Sequence, residues 1–147
     1  NASLMIIENP ERLGLAQRVS EYLDDESMLP AVGQGALCIE IREGDPRVGP
    51  MVAALDHPAT RTVVSGERAF LKRLQGGCQV PIAGHGRLDG ARFELTGLVA
   101  DVDGSTVIKH RLSGPASSAE RIGIELAEIL LGRGADEILK NLSSAAL

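Results

Sequence analysis

The stretch PIAGHGRLDGARFELTGLVADVDGSTVIKHRLS, at residues 81–113, decides the fold of this chain. Apolar and polar residues alternate along much of it, which is the period-two pattern of strands whose two faces differ. Asp-Gly pairs at residues 89–90 and 103–104 interrupt the alternation, and such pairs between alternating runs indicate hairpins. The pattern predicts a meander of three antiparallel strands over residues 82–88, 92–100 and 106–112.

Helical periodicity flanks the predicted meander on both sides. Apolar residues recur at helical spacing from Ala59 to Leu74, and the glycine pair at residues 76–77 is expected to end that helix. After the meander, Ser117 and Glu120 have the spacing of a capping box, which predicts the start of a second helix.

Residues 57–142 therefore predict an α+β unit: a helix, the three-stranded antiparallel meander and two helices, with the helices on one face of the sheet. Glycines at residues 132 and 134 separate the last two helices, and the final helix is predicted over residues 135–142. Because the chain has one tyrosine, two phenylalanines and no tryptophan, aliphatic side chains must fill most of the core. The side chains expected inside are Phe70, Leu74, Ile122, Leu126 and Ile129.

Residues 4–55 do not predict a core of their own. Asn9-Pro10-Glu11 is typical of a helix start, and apolar residues at every fourth position extend the predicted helix to Asp24. Residues 28–35 interrupt the pattern with a loop in which Pro30, Gly33 and Gly35 lie close together. Residues 36–42 are typical of a mostly buried strand, which would bury Cys38, and residues 45–55 suit a short helix.

The charge balance argues against a nucleic-acid partner. The 147 residues carry 15 basic and 20 acidic side chains, whereas nucleic-acid binding needs a clustered basic excess. No apolar run approaches the roughly 20 residues of a membrane span, and residues 4–7 are too short for a signal-peptide core. We therefore expect a cytoplasmic protein with free thiols and no membrane partner. Asn1-Ala2-Ser3 is expected to be a cloning remnant.

Cys78 is the candidate reactive residue. It follows two glycines at the end of a predicted helix, and glycines beside a cysteine let a bulky group approach the sulfur. The three histidines lie far apart along the chain, and no spacing pairs one of them with Cys78 or predicts a metal site. An inert thiol and a thiol nucleophile both remain open from the residues alone.

Residues 30–35, called the 30–35 loop below, are a second candidate site. The backbone N–H groups of this glycine-rich segment could approach a ligand carboxylate, although a flexible hinge is the plainer interpretation. Arg12, Arg18 and Arg42 are candidate carboxylate clamps, and solvated surface charges are the alternative for each of them.

Three stretches together resemble the porphobilinogen deaminase (hydroxymethylbilane synthase) family. They are LPAVGQGA at residues 29–36, ERA at residues 67–69 and GGCQVPI at residues 76–82, and the LAE of residues 126–128 fits as well. The glycine-glycine-cysteine signature is highly specific, and the resemblance covers nearly the whole chain from about Arg12 onward.

The resemblance implies a transferase that condenses four porphobilinogens into linear hydroxymethylbilane and releases ammonia at each step. The growing polypyrrole is anchored on a dipyrromethane cofactor, which a thioether would hold on Cys78. Carboxylate groups of the cofactor and substrate need donors, and the implied cofactor contacts are Arg12, Gln34, Gly35 and Gly77.

The resemblance also implies that this chain is the C-terminal portion of a three-domain protein about twice its length. Residues 1–35 would be the end of the second domain and a hinge, residues 36–56 a crossover segment that belongs with the first domain, and residues 57–147 the cofactor-carrying third domain. The family's catalytic aspartate lies in the first domain. We therefore expect no catalytic residue here, no activity from this chain alone and no cofactor on it.

Two other function classes remain alternatives. A helix, three strands and a helix also describe a double-stranded-RNA-binding module, and Cys78 could serve a small thiol enzyme. If the family reading holds, residues 36–42 lack their strand partner. An unpaired apolar strand is prone to association, so we expect residues 4–45 either to be mobile or to pair with a second copy as a dimer.

Overall fold

The structure is a computed structural model that describes residues 14–75 and 81–145. Its helices are α1 (Val48–Ala53), α2 (Pro58–Arg73), α3 (Ala119–Leu130) and α4 (Asp136–Ala145). Its strands are β1 (Ile82–Asp89), β2 (Arg92–Ala100) and β3 (Val107–Pro115). The predicted α+β architecture is confirmed.

The three strands form one antiparallel sheet in the order β1-β2-β3, as the alternation and the two Asp-Gly pairs predict. Ile82 pairs with Val99 across β1 and β2, and Arg92 pairs with Pro115 across β2 and β3. This register places one set of alternate residues on an inner face against α2 and α3, and the other set on an outer face without a helix.

The core lies between the inner face of the sheet and the helices. Of the predicted core residues, Phe70, Leu74, Ile122 and Leu126 are buried, whereas Ile129 is only half-buried. The neighbouring Leu130 is fully buried in its place, because the helical rotation between adjacent residues turns it toward the sheet. The core side chains that β2 contributes are Phe93, Leu95 and Val99.

The predicted start and end of α2 are local features that the structure largely reproduces. Pro58 occupies the first helical position, and Nδ1 of His57 accepts the N–H of Thr60 at 3.3 Å as a cap. The helix ends at Arg73, and Gln75 takes a left-handed backbone conformation with φ 55°. The glycine pair predicted to stop the helix lies outside the described residues.

The capping box predicted at Ser117 and Glu120 is wrong. A turn of 3-10 helix over Ala116–Ser118 precedes α3, so the helix starts one residue later than predicted. The side chain of the actual N-cap residue, Ser118, makes no capping bond and instead accepts a hydrogen bond from Arg121 at 3.2 Å. The last helix follows a kink at Gly134 and runs to residue 145, longer than the predicted 135–142.

The chain before residue 45 departs most from prediction. Within residues 14–24 the structure contains one turn of 3-10 helix, Ala16–Arg18, so the helix predicted to extend to Asp24 is wrong there. Residues 36–42 pair with no strand in the described part of the chain, and Leu37 is 90% exposed, so the buried strand is wrong as well. Elements this short are marginal without a surface to pack against.

The helix predicted over residues 45–55 is confirmed in part as the shorter α1. Oδ1 of Asp45 accepts the N–H groups of Val48 and Arg47, both at 2.9 Å, and these bonds lower the pKa of Asp45. The apolar side chains of this segment join no core within residues 14–75 and 81–145, and Met51 and Leu55 are exposed.

Candidate functional site

Three of the predicted site residues lie outside the described part of the chain. Arg12 belongs to residues 1–13, and Gly77 and Cys78 belong to residues 76–80. Residues 76–80 join Gln75, just beyond α2, to Pro81, whose carbonyl accepts the N–H of Ala100 at 3.0 Å. The glycine-glycine-cysteine segment therefore connects the end of α2 to the sheet.

The 30–35 loop, which contains the predicted contacts Gln34 and Gly35, is closed on itself by hydrogen bonds. Oε1 of Gln34 accepts the N–H of Ala31 at 2.8 Å, and the N–H of Gln34 donates to the Ala31 carbonyl at 3.0 Å. Gly33 and Gly35 both have a positive φ, 71° and 81°, which favours glycine. The side-chain oxygen of Gln34 thus shapes the loop, whereas the N–H of Gly35 has no partner among the described residues.

The same loop is docked onto the α+β unit at two polar points. The carbonyl of Pro30 accepts the N–H of Gly84 in β1 at 3.0 Å, and the N–H of Gly33 donates to Oε2 of Glu67 in α2 at 2.7 Å. Between these points, Val32 packs against the hydrophobic core. The tertiary structure therefore places the 30–35 loop beside the elements that residues 76–80 connect.

Glu67 is a site residue to which sequence reasoning gave no role. It is 4% exposed, and its second oxygen, Oε1, accepts the N–H of Gly86 at 2.7 Å. A signal was present in the sequence, because Glu67 falls at helical spacing between Val63 and Phe70 on the apolar face of α2. A carboxylate on that face needs partners, and the structure supplies two backbone N–H groups.

The outer face of the sheet carries a cluster that the sequence did not indicate. Asp25 and Glu26 lie across this face, Asp25 pairing with side chains of β1 and Glu26 with side chains of β3. A hydrogen bond from Arg111 and the charges of Arg111 and Lys109 hold the pKa of Glu26 below its ordinary range. The basic side chains involved are His85, Arg87, Lys109 and Arg111.

The other candidate clamps and the remaining histidines have ordinary surroundings. Arg18 and Arg42 are exposed and form no ion pair with the described residues. His57 caps α2, and Nδ1 of His110 lies 3.2 Å from a guanidinium nitrogen of Arg133. Cys38 is exposed, so the prediction of a buried strand cysteine is wrong.

The described residues contain neither a candidate membrane-spanning helix nor a candidate metal site. Among them, no helix is both long enough and apolar enough to span a membrane. Within residues 14–75 and 81–145, no three histidine, cysteine, aspartate or glutamate side chains come close enough to hold a metal ion.

Two models of one protein family match the chain. A model described as the porphobilinogen deaminase dipyromethane cofactor binding domain matches residues 9–49. A model described as the porphobilinogen deaminase C-terminal domain matches residues 62–132. The two matches together cover about three quarters of the chain.

Curated relatives agree with the family models. A porphobilinogen deaminase of Pelobacter propionicus is 49% identical over 142 residues, which are 97% of this chain and 46% of that protein. Those of Syntrophotalea carbinolica and Geobacter metallireducens are 51% and 50% identical over 90% and 95% of this chain, and over 42% and 44% of their own lengths. The chain thus spans less than half the length of these relatives, and it belongs to the porphobilinogen deaminase family.

Proposed function

We propose that the protein to which this chain belongs is a transferase that condenses four porphobilinogens into linear hydroxymethylbilane, with release of ammonia. The observation that carries the proposal is the sequence match, 49% identity over 97% of the chain to a porphobilinogen deaminase. The signature at residues 76–82 supports it, because this glycine-glycine-cysteine motif is highly specific for the family. The proposed partners are porphobilinogen, the growing polypyrrole and the remaining domains of the same protein.

The proposed domain division has support in the packing. Every residue of the hydrophobic core among the described residues comes from α2 onward, except Val32 of the 30–35 loop. This agrees with a C-terminal domain over residues 57–147 and with residues 1–35 as the end of the second domain and a hinge. The exposure of Leu37 and Ile39 agrees with residues 36–56 as a segment that packs against the first domain.

We propose that Cys78 holds a dipyrromethane cofactor through a thioether, with Gly77 leaving space beside the sulfur. The cofactor's carboxylates require N–H or cationic donors, and the described residues meet this requirement at Gly35, whose N–H has no other partner there. Arg12 is proposed as a cationic contact, and Gln34 contributes by closing the loop. When bound, the dipyrromethane supplies the pyrrole carbon to which the first porphobilinogen is joined.

The chemical roles of this chain's residues follow from their types. The Cys78 sulfur, as a thiolate, is the nucleophile that forms the carbon–sulfur bond, and a thioether resists hydrolysis between turnovers. Departure of ammonia requires a proton donor, and the family assigns this role to an aspartate in a domain that this chain does not include. We therefore propose no catalytic residue here and no activity for the 147-residue chain alone.

Intact-mass spectrometry tests the proposal. The full-length protein should carry a mass increment of two linked pyrrole units, which Cys78→Ser should abolish. The matched control is Cys38→Ser, which replaces an exposed thiol and should leave the increment in place. Loss of the increment in the Cys38 variant, or its retention in the Cys78 variant, would contradict the assignment.

The 147-residue chain provides the second arm of this experiment. Incubated with porphobilinogen, it should keep its bare polypeptide mass and release no tetrapyrrole. A chain that gained two pyrrole units on its own would show that cofactor loading does not need the first domain. Alkylation should modify Cys38 as well as Cys78, because Cys38 is exposed.

The alternatives have less support. The basic side chains on the outer face of the sheet pair with Asp25 and Glu26, so this face is not the unpaired basic surface that RNA binding needs. We also propose a cytoplasmic location for the protein. Self-association through residues 36–42 is proposed for the 147-residue chain, on the exposure of their apolar side chains.

A further inference from the structure

One buried carboxylate connects three separate parts of the chain. Glu67 lies in α2, its Oε2 accepts the N–H of Gly33 in the 30–35 loop, and its Oε1 accepts the N–H of Gly86 in β1. Both distances are 2.7 Å, and Glu67 is 4% exposed. Each oxygen therefore has its own backbone donor.

This arrangement is not an ion pair. Glu67 contacts no lysine, arginine or histidine within ion-pair distance among the described residues. The two N–H groups must therefore compensate for removing the charge from water, and hydrogen bonds to a charged acceptor are the stronger kind. Losing either donor would leave a buried carboxylate oxygen unpaired, which makes the two contacts mutually dependent.

The β1 contact has a structural purpose of its own. β1 is an edge strand, and its outward N–H groups at Gly84 and Gly86 need acceptors other than a neighbouring strand. The carbonyl of Pro30 serves Gly84, and Glu67 serves Gly86. The Gly33 contact is not part of the sheet: it joins a partly buried loop amide to a carboxylate 34 positions further along the chain. It holds the loop.

We infer that Glu67 is a positioning residue that fixes the 30–35 loop on α2 and β1, so that the loop's free donor at Gly35 is held ready for a carboxylate of the cofactor or polypyrrole. This inference rests on the proposed function for the identity of the ligand. The clamp itself rests on the two hydrogen bonds and on the burial of Glu67. Because Gln34 already closes the loop internally, Glu67 sets where the loop sits and not how it is shaped.

Hydrogen exchange of the unmodified 147-residue chain tests the clamp without any substitution. The Gly33 amide should exchange at least about tenfold more slowly than the Gly35 amide, because only Gly33 donates to Glu67. Equal exchange of the two amides, after correction for intrinsic rates, would overturn the clamp. This measurement does not depend on what the protein binds or catalyses.

Glu67→Gln then removes one acceptor while keeping the size of the side chain. The remaining amide oxygen can accept only one of the two N–H groups, so exchange at Gly33 or at Gly86 should rise about tenfold or more. Buried amides such as those of Leu95 and Leu126 should keep their protection. Glu125→Gln, at an exposed position of α3, makes the same change in charge and should leave Gly33 unaffected. If the protection of both Gly33 and Gly86 survives in Glu67→Gln, the clamp is wrong.

Steady-state kinetics of the full-length protein tests the positioning role. Glu67→Gln should raise the apparent KM for porphobilinogen about tenfold and change kcat by less than about twofold, because a displaced binding loop weakens ground and transition states alike. If the Gly33 amide exchanges faster in Glu67→Gln while the apparent KM for porphobilinogen is unchanged, Glu67 has only a structural role and the inference is overturned. Absence of hydroxymethylbilane from the unmodified protein would instead contradict the proposed function and leave the exchange result standing.

Discussion

Gly66 and Gly123 mark the point where the backbones of α2 and α3 touch. A Cβ built on Gly123 would lie 2.1 Å from the carbonyl oxygen of Gly66, closer than real Cβ atoms approach any neighbour. A Cβ on Gly66 would lie 2.5 Å from the ring of Phe93. The two helices and the sheet therefore meet at a place where neither glycine has room for a side chain.

Gly123→Ala should destabilise the chain by about 1–3 kcal/mol, because α2 and α3 must separate to admit the methyl group. Urea unfolding followed by circular dichroism measures the loss. The matched control is Gly132→Ala, where no atom lies within 4 Å of the added Cβ. An equal loss of stability in both variants would show that backbone conformation, and not the helix contact, is responsible.

Leu126→Ala should cost about 2–5 kcal/mol, because Leu126 is fully buried at the centre of the core. The denaturation midpoint should fall while the slope of the transition stays the same. Ile124→Ala in the same helix serves as the control, since Ile124 is 45% exposed and should cost far less. A midpoint unmoved by Leu126→Ala would mean that the helices and the meander are not the stable core.

The contact of Glu26 with β3 should weaken in acid. Arg111 and Lys109 lower the pKa of Glu26, so the contact is fully stabilising above the ordinary value of 4.5 and is lost as the pH falls through the lowered pKa. Amide chemical shifts of residues 24–29 should move in that range, and high salt should weaken the contact at neutral pH.

Glu26→Gln is the control for this titration. It removes the ionisable group that faces Arg111, so the acid-dependent shift attributed to Glu26 should vanish. Asp24, whose pKa is lowered by hydrogen bonds from Ser27, provides an internal comparison in the same segment. If the Glu26→Gln chain showed an unchanged titration of residues 24–29, another group would control the segment.

Residues 36–42 should make the 147-residue chain self-associate, because Leu37, Ile39 and Ile41 are exposed at alternate positions of an unpaired segment. Light scattering should show a mass that grows with concentration, and replacing the three residues by serine should return it to the monomer value. Ile124→Ser, at an exposed site in α3, should have no such effect. A strict monomer with this segment protected from exchange would contradict the prediction.

The predictions that succeeded depended on local chemistry. α2 followed from apolar residues at helical spacing, and the meander followed from alternation broken by Asp-Gly turns. Its strand bounds fall within three residues of those predicted, since turn residues and periodicity act over a few positions. The family resemblance likewise came from short motifs that the sequence displays directly.

The predictions that failed needed a partner surface. The helix expected up to Asp24, the strand over residues 36–42 and the burial of Cys38 all assumed that an apolar pattern would find something to pack against. Among the described residues these segments find no surface to pack against, so they remain exposed. The periodicity of apolar residues predicts which face of a segment would be buried, but it does not predict whether another part of the protein is present to pack against that face.

The sequence by itself determined the family, the α+β architecture and Cys78 as the proposed cofactor anchor, because each follows from residue types and their spacing along the chain. Only the tertiary structure brought Gly33, Glu67 and Gly86 together, placed Glu26 against Arg111, and set Gly66 against Gly123. These contacts join residues 19 to 85 positions apart, the shortest being Glu67 to Gly86 and the longest Glu26 to Arg111. Hydrogen bonding and close packing depend on distances in space, which no local pattern encodes.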